Sequence, residues 1–283
     1  MDPLYFWINI VIITFGEMME LTVIIFLTTE FRKKHSDLQK AFYYVLYAIY
    51  VFDSFSSIPR FVMRVLGQQI GNPVVATCQV IMWYYYYTPG ICEFVLALNR
   101  CTGIAFPTIH HQFWTGARLK CVLLLIVAFP LLVSGYTLSN FHCRMYPFDS
   151  ICAKYTNIYV LTVIFINTGL SVSALLVIIL GILRASKVVT ITKNSVIAQL
   201  ERKMVVYQTI STTLLTLRYI CSLLSYFHKS YAELFDTIGL AFYYLQHYLP
   251  IMLLPILNST YRNKFMKFLG CRKGVIHVAS TMT

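Results

Sequence analysis

The sequence predicts an all-α membrane protein built as a bundle of seven transmembrane helices. Three observations predict this fold class: the composition, the number of long apolar segments and the distribution of basic residues. The 283 residues are 58% hydrophobic and only 12% charged, with a mean hydropathy of +0.67, whereas an ordinary soluble domain carries about 25% charged residues. Such a chain has too few polar side chains to cover a water-exposed surface, which indicates an integral membrane protein.

Seven apolar segments are long enough to cross a hydrocarbon core, which takes about 20 helical residues. Their approximate bounds are 4–29, 39–61, 76–99, 119–138, 156–183, 204–227 and 237–257. The first segment has no basic region before it and no small-residue cleavage site after it, so we expect a retained anchor and not a removable signal peptide. The second and third segments are the most interrupted, by Asp53, Pro59, Arg60 and Glu93.

The basic residues predict the orientation of the bundle. With the N-terminus outside, 17 of the 23 lysines and arginines fall on inner segments. The six others are Arg60, Arg64, Arg144, Lys154, Arg218 and Lys229. The positive-inside rule therefore places the N-terminus outside and the C-terminus in the cytoplasm, which requires an odd number of spans. The net charge of +12 follows from topology and attraction to anionic lipid, and no nucleic-acid partner is expected.

A short amphipathic helix is predicted after the seventh span, at about residues 259–270. Phe265, Phe268 and Leu269 fall on one side of it, with lysines nearby, so the helix is suited to lie on the membrane surface. Cys271 follows it and is a candidate for palmitoylation, although such a cysteine is more often a free thiol. Residues 1–283 therefore form a single transmembrane domain in this interpretation.

Three cysteines fall on the outer side under this topology, in an oxidising compartment. A bridge from Cys78 to Cys152 would tether the loop between the fourth and fifth spans over the mouth of the bundle, and this pairing is the favoured one. A bridge from Cys143 to Cys152 within the loop is the alternative. The spacing of the cysteines does not decide between the two.

Charged residues inside the apolar segments are informative because each costs a few kcal/mol at mid-membrane unless it is paired or hydrated. Glu17, Glu20, Asp53 and Arg218 are predicted to form an intramembrane polar cluster, in which Arg218 neutralises Asp53 or Glu93. Two roles remain open. The cluster either changes partners when the bundle rearranges, or it holds the helices together as static pairs and protonated carboxyl groups.

Candidate ligand contacts come from the aromatic run Trp83 to Tyr87. Its consecutive aromatic side chains would point in all directions around a helix. Tyr84 and Tyr87 lie one or two turns below the outer end of the third span, and with Glu93 they are the residues expected to contact a small molecule. Motifs of enzymes and metal proteins are absent: there is no glycine-rich phosphate loop, no paired-cysteine metal motif and no His-Glu-x-x-His. We therefore expect no enzyme activity, no cofactor and no metal site.

One short motif carries a resemblance to a known family. The third span has a cysteine at its outer end and Leu98-Asn99-Arg100 at its inner end, and Pro107 follows. This arrangement resembles the rhodopsin-like G-protein-coupled receptors. The resemblance is greatest to the nematode serpentine chemoreceptors of the class gamma family, with class V as a near relative. It lies in the segment "LNRCTGIAFP", in the loop around Trp114 and in the segment "PILNSTYR" after the seventh span.

The resemblance implies that Arg100, with Asn99 and Pro107, belongs to the surface that meets a heterotrimeric G protein. Asn99 stands where the common receptor pattern has an acidic residue, so an intrahelical ion pair to Arg100 is missing. The expected function is that of a chemosensory receptor in the plasma membrane, which binds a small apolar or weakly polar molecule between its helices, alone or as a homo- or heterodimer. The alternatives are a ligand-gated channel subunit and a small-solute transporter; transporters commonly show internal repeats, and none is detected here.

Overall fold

The computed structural model describes residues 3–34, 36–66, 69, 71–188 and 196–271. All regular structure in these residues is helical, as predicted. The α-helices are α1 (Pro3–Phe31), α2 (Ala41–Leu66), α3 (Pro73–Tyr86), α4 (Thr88–Ala105), α5 (Pro107–Phe113), α6 (Gly116–Ser134), α7 (Phe141–Met145), α8 (Ala153–Val188), α9 (Val196–Phe227), α10 (Ala232–Leu257) and α11 (Ser259–Phe268). Short 3-10 turns cover Gly135–Ser139, Ser150–Cys152 and Lys229–Tyr231.

Six helical segments in the described part of the chain are long and apolar enough to cross a membrane. They are Ile10–Phe31, Ala41–Met63, Gly116–Ser139, Ser150–Ala185, Arg202–Phe227 and Lys229–Leu257. Their outer surfaces expose large apolar side chains, such as Leu132 and Ile256, which a lipid environment accommodates and water does not. The chain is therefore a multi-pass, all-α membrane protein.

The predicted third span, 76–99, is divided between α3 and α4 at Tyr87. Pro89 explains the break, because proline has no N–H and its ring clashes with the carbonyl group four residues earlier. The two helices together still pass from one end of the bundle to the other. Gln79 of α3 lines a cavity with Arg144, whereas Arg100 near the end of α4 lines a different cavity with Asn258.

The two ends of the bundle carry different elements. One end holds the loop with α7, which we call the disulfide end, and the other holds α11, which we call the α11 end. Between them, α4 contacts α2, α6, α8 and α9. Its buried Ala97 packs in a cluster with Ala174 and Ile178 of α8, so α4 lies in the interior of the bundle.

Asn167 of α8 compensates for the interruption between α3 and α4. Its Oδ1 accepts a hydrogen bond from Gly90 N–H at 2.9 Å, and its Nδ2 donates to the Tyr86 carbonyl at 2.9 Å. In a continuous helix these two backbone groups would bond to each other. The hydroxyl of Thr88 likewise donates to the Tyr85 carbonyl at 2.8 Å. Pro89 cannot donate to this carbonyl because proline has no N–H. A Cβ atom added at Gly90 would lie 2.6 Å from Asn167 Oδ1, so this approach requires glycine.

The loop at the disulfide end is closed by a bridge between Cys143 and Cys152. The favoured pairing of Cys78 with Cys152 was therefore wrong, and the alternative within the loop is the one present. Cys78 lies within α3 as a buried free thiol. Asp149 accepts a hydrogen bond from His142 across 3.0 Å in the same loop, and this contact lowers the pKa of the Asp149 carboxyl.

The predicted helix after the last span is present as α11 and packs against α1. Tyr261 and Phe265 place their rings 5.2 and 5.1 Å from that of Phe26. Lys264 lies 3.0 Å from the carboxylate of Asp37 and lowers the pKa of that group by hydrogen bonding. Cys271 is exposed just beyond the helix; its acylation remains a prediction.

Replacing Asn167 with Ala is expected to destabilise the protein, because it leaves the Gly90 N–H and the Tyr86 carbonyl without partners in an apolar environment. A buried polar group left without its hydrogen bond costs about 1–3 kcal/mol. Thermal unfolding of the purified protein in lipid nanodiscs measures the loss. Thr162→Val, which removes an exposed hydroxyl from the same helix, is the control. Equal unfolding temperatures for the two variants would contradict the proposed role of Asn167.

Replacing Cys143 or Cys152 with Ser is expected to lower the amount of folded protein at the cell surface, whereas Cys78→Ser should not. Removing a native disulfide releases conformational entropy to the unfolded chain and typically costs a few kcal/mol. Surface labelling of tagged protein compares the three variants. Maleimide labelling after denaturation under non-reducing conditions should leave the two loop cysteines of the wild type unmodified; a Cys78 thiol protected instead would support the other pairing.

Candidate functional site

A buried group of polar side chains joins α2, α3 and α10 in the half of the bundle nearer the disulfide end. Asp53 Oδ1 accepts hydrogen bonds from Arg60 Nη2 at 2.8 Å and from the Tyr85 hydroxyl at 2.5 Å. His247 Nε2 lies 3.4 Å from the same oxygen. Arg60 is seven residues after Asp53 and therefore two turns away on the same face of α2. Its guanidinium also lies between the rings of Tyr85 and Tyr243, at 5.1 and 5.2 Å.

Glu20 extends this group to α1. Its carboxylate accepts a hydrogen bond from the Ser54 hydroxyl at 3.3 Å, and the residue is fully buried. Candidate ligand atoms of Glu20, Asp53 and His247 all lie within 4.8 Å of one another. A metal ion would have oxygen and nitrogen donors there, but the positive charge of Arg60 already neutralises Asp53 and opposes a cation. We call Glu20, Asp53, Arg60, Tyr85 and His247 the Asp53 cluster.

A cavity with two adjoining lobes opens beside the Asp53 cluster. The smaller lobe has a volume of about 270 Å³ and borders Glu17 and Tyr248, and the larger has about 790 Å³. Both lobes are lined by Arg60, Tyr86, Arg218, Ser222 and Asp236. Ligand pockets in proteins have volumes of about 300–1,000 Å³, so the larger lobe alone has room for a small organic molecule.

The structure brings together the acidic residues that were predicted to cluster, and Arg218 borders the same cavity as Glu17 without pairing with any of them. Glu20 and Asp53 are neighbours, and Glu17 lies nearby on the cavity wall. The partner of Asp53 is Arg60, and no ion pair among the described residues includes Arg218, so the predicted pairing of Arg218 with Asp53 or Glu93 was wrong. Arg218 instead lies over the rings of Tyr243 and Tyr219, at 4.4 and 5.2 Å.

Glu93 is satisfied by hydroxyl and amide donors of α9. Its carboxylate accepts hydrogen bonds from Gln208 Nε2 at 2.5 Å, from the Ser211 hydroxyl at 2.6 Å and from the Thr212 hydroxyl at 3.1 Å. A cavity of about 20 Å³ lies between Glu93 and the Asp53 cluster, which is enough for about one water molecule. Glu93 therefore connects α4 to α9 in the bundle core.

The three residues predicted to contact a ligand do not line the cavity at the disulfide end. The Tyr84 hydroxyl donates to the Val127 carbonyl of α6, and Tyr87 is fully buried against Tyr159. Glu93 borders only the 20 Å³ cavity. An aromatic run that surrounds a helix gives no signal for which ring faces inward, and the inward positions are those of Tyr85 and Tyr86.

Arg100 was predicted to emerge at the inner interface, but it is only 8% exposed. Its guanidinium lies 3.9 Å from the centre of the Phe42 ring, and Phe42 packs edge to face with Tyr207 at 5.9 Å. Arg100 and Asn99 line a cavity of about 200 Å³ at the α11 end, together with Asn258. The side chain is thus held against the bundle and not in solvent.

The chain turns immediately after α4, as expected from Pro107. Phe106 has φ −144° and ψ 63°, and Pro107 then begins α5. The Trp114 Nε1–H donates to the Thr102 hydroxyl at 2.8 Å, which folds α5 back onto α4. Asn258 fixes the facing side of the cavity: its Oδ1 accepts from Tyr261 N–H at 3.0 Å, and its Nδ2 donates to the Tyr43 hydroxyl at 2.5 Å.

Two functional candidates were missed by sequence reasoning. Arg60 was treated as an interruption, although its spacing of seven from Asp53 signals a pair on one helical face. Arg144, in the loop at the disulfide end, is only 1% exposed and lies over the rings of Tyr159 and Trp83, at 4.3 and 5.8 Å. No periodic pattern marks a loop residue, so the sequence carries no signal for its burial.

Comparison with known proteins identifies no family for the chain. No protein-family model matches it, and no curated protein shows significant similarity to it. Any function assigned to the chain therefore depends on its own residues and their geometry.

Replacing Arg60 with Gln is expected to destabilise the protein more than replacing Asp53 with Asn. The first change leaves a carboxylate that is only 2% exposed without its cation, whereas the second leaves a guanidinium that borders the cavity. Breaking a fully buried ion pair costs about 3–5 kcal/mol, and access to the cavity reduces this figure for Asp53→Asn.

Thermal unfolding in nanodiscs compares the two variants, with Lys154→Gln, an exposed site at the same end, as the control. The double variant Asp53→Asn/Arg60→Gln should be more stable than Arg60→Gln alone. If the double variant is equally unstable, the ion pair does not account for the effect.

Proposed function

We propose that the chain is a G-protein-coupled chemosensory receptor that binds a small molecule at the disulfide end and activates a G protein at the α11 end. The observation that carries this proposal is the presence of cavities at opposite ends of one bundle, joined by buried polar contacts. The Asp53 cluster borders the first cavity and Arg100 borders the second. Such an arrangement suits a protein that transmits binding at one face to a partner at the other.

The six apolar helices and the pair α3 and α4 support this proposal. If α3 and α4 count as one span interrupted at Tyr87, the six long helices become seven crossings, and the termini lie on opposite sides. The distribution of basic residues then supports an outer disulfide end and a cytoplasmic α11 end. The bridge between Cys143 and Cys152 fits an outer, oxidising side. We infer a plasma-membrane location with the N-terminus outside.

A series of contacts with one small gap leads from one cavity to the other. Arg60 contacts Asp53, the 20 Å³ cavity separates Asp53 from Glu93, and Glu93 accepts a hydrogen bond from Gln208. The neighbouring Tyr207 meets Phe42, on which Arg100 lies. We propose that a ligand which favours a different arrangement of α9 at the first cavity thereby alters the surroundings of Arg100.

The test is G-protein nucleotide exchange in membranes that contain the protein. A panel of odorants and secreted metabolites should include compounds that stimulate exchange, and Arg100→Ala should abolish the response while surface expression is retained. Lys154→Ala, at the opposite end, should respond as the wild type does. Full exchange by the Arg100 variant would remove this residue from the coupling surface. Ligand-evoked current with G proteins blocked, or accumulation of labelled compound, would instead support a channel or a transporter.

A further inference from the structure

The larger lobe of the cavity at the disulfide end has an unusual charge distribution for a membrane protein interior. Among the described residues, four basic side chains line it, against one acidic side chain. These are Arg60, Arg144, Arg218 and Lys229 on one hand and Asp236 on the other. Arg60 is already neutralised by Asp53, and Asp236 is exposed to solvent. The charges of Arg144 and Arg218 therefore face the cavity without a described ion-pair partner.

Arg144 has hydrogen-bond donors that nothing in the described structure accepts. The residue is 1% exposed, and its Nε and Nη1 atoms have no hydrogen-bond partner. Its position is nevertheless fixed, because the neighbouring Cys143 is bridged to Cys152 and the Asn140 side chain caps α7. The loop thus holds a guanidinium against the cavity wall with donors unused.

Arg218 presents a second unused donor from a different element. Its Nη1 is buried and has no hydrogen-bond partner, and the residue borders both lobes. Tyr219, the next residue of α9, also lines the larger lobe and has a buried hydroxyl without a partner. Side chains of α7 and α9 that carry unpaired donors therefore line one space, and the only acidic side chain among the described residues of its wall is exposed.

Packing on aromatic rings does not account for these arginines. A cation–π contact contributes less than it costs to remove a charged group from water without hydrogen bonds. A planar guanidinium with free N–H groups matches the oxygens of carboxylate, sulfate and phosphate groups. The remaining wall includes Met63, Met82 and Phe148, which suit an apolar body.

We propose that this cavity binds a small organic anion, whose carboxylate, sulfate or phosphate group accepts hydrogen bonds from Arg144 and Arg218 while its apolar part packs on the methionine and aromatic side chains. The assignment rests on the proposed function in that this cavity is taken as the ligand site of the receptor. It changes the expectation of an apolar or weakly polar ligand.

The experiment uses the full chain in nanodiscs of uncharged lipid and a series of probes with one alkyl chain. Hexanoate, hexyl sulfate and hexyl phosphate are compared with hexanol and hexylamine by the concentration that gives half-maximal thermal stabilisation. At least one anion should give half-maximal stabilisation at a concentration tenfold or more below that of hexanol. The reason is that charge-assisted hydrogen bonds are stronger than hydrogen bonds between neutral groups. The three head groups distinguish the kinds of anion.

Arg144→Gln and Arg218→Gln should each reduce this preference by about tenfold or more, and Lys154→Gln should retain it. If a Gln variant does not fold, Arg144→Lys and Arg218→Lys keep the charge but lose the planar fork, and they should weaken anion binding to a smaller extent. Hexanol or hexylamine acting as well as every anion would overturn the proposal, as would unchanged anion binding in the arginine variants.

Nucleotide exchange with the same probes separates this inference from the proposed function. Anion binding that depends on both arginines but causes no exchange would support the anion site and count against the receptor. Exchange evoked by hexanol and not by the anions would support the receptor and overturn the anion site.

Discussion

The requirement that every backbone polar group in an apolar environment be hydrogen-bonded governs the architecture of this bundle. Asn167 shows this most directly: its side chain hydrogen-bonds both Gly90 N–H and the Tyr86 carbonyl, which do not bond to each other. Without that replacement, the break that Pro89 imposes would leave unpaired groups in the bundle interior. Because α3 and α4 are held in line, Tyr85, Glu93 and Arg100 take positions along a single path through the bundle.

Two further polar contacts lie beside the break. Thr88 turns its hydroxyl back to the Tyr85 carbonyl, and the Tyr85 side chain reaches Asp53 of α2. The polar side chains of the interior thus surround a helix break whose backbone groups are hydrogen-bonded by Thr88 and Asn167. Interruptions of this kind in membrane helices occur where neighbouring helices supply the missing partners, and they commonly border functional cavities.

The sequence predicted the features that depend on composition and failed on those that depend on register. Long apolar runs predicted the helices, and isolated charges predicted that Glu20 and Asp53 lie in the interior. The partner of Asp53 was misassigned because the spacing of seven between Asp53 and Arg60 was read as an interruption of the span, and no pattern in one chain reveals how α9 is rotated against α2. The rings that line the cavity were not identified for the same reason, since Tyr84 and Tyr86 differ only in which face of α3 they occupy. Arg144 was missed because loops have no periodicity.

The bond between Cys143 and Cys152 has a consequence for the biogenesis of the protein. Arg144 follows the first of these cysteines directly, and its place over Trp83 and Tyr159 depends on a loop that the bond closes. In a newly synthesised chain with both thiols reduced, the disulfide does not constrain the loop, and the Arg144 guanidinium can move into water. Formation of this disulfide and placement of Arg144 in the cavity wall are therefore coupled, and a chain with reduced thiols does not hold this charge in place.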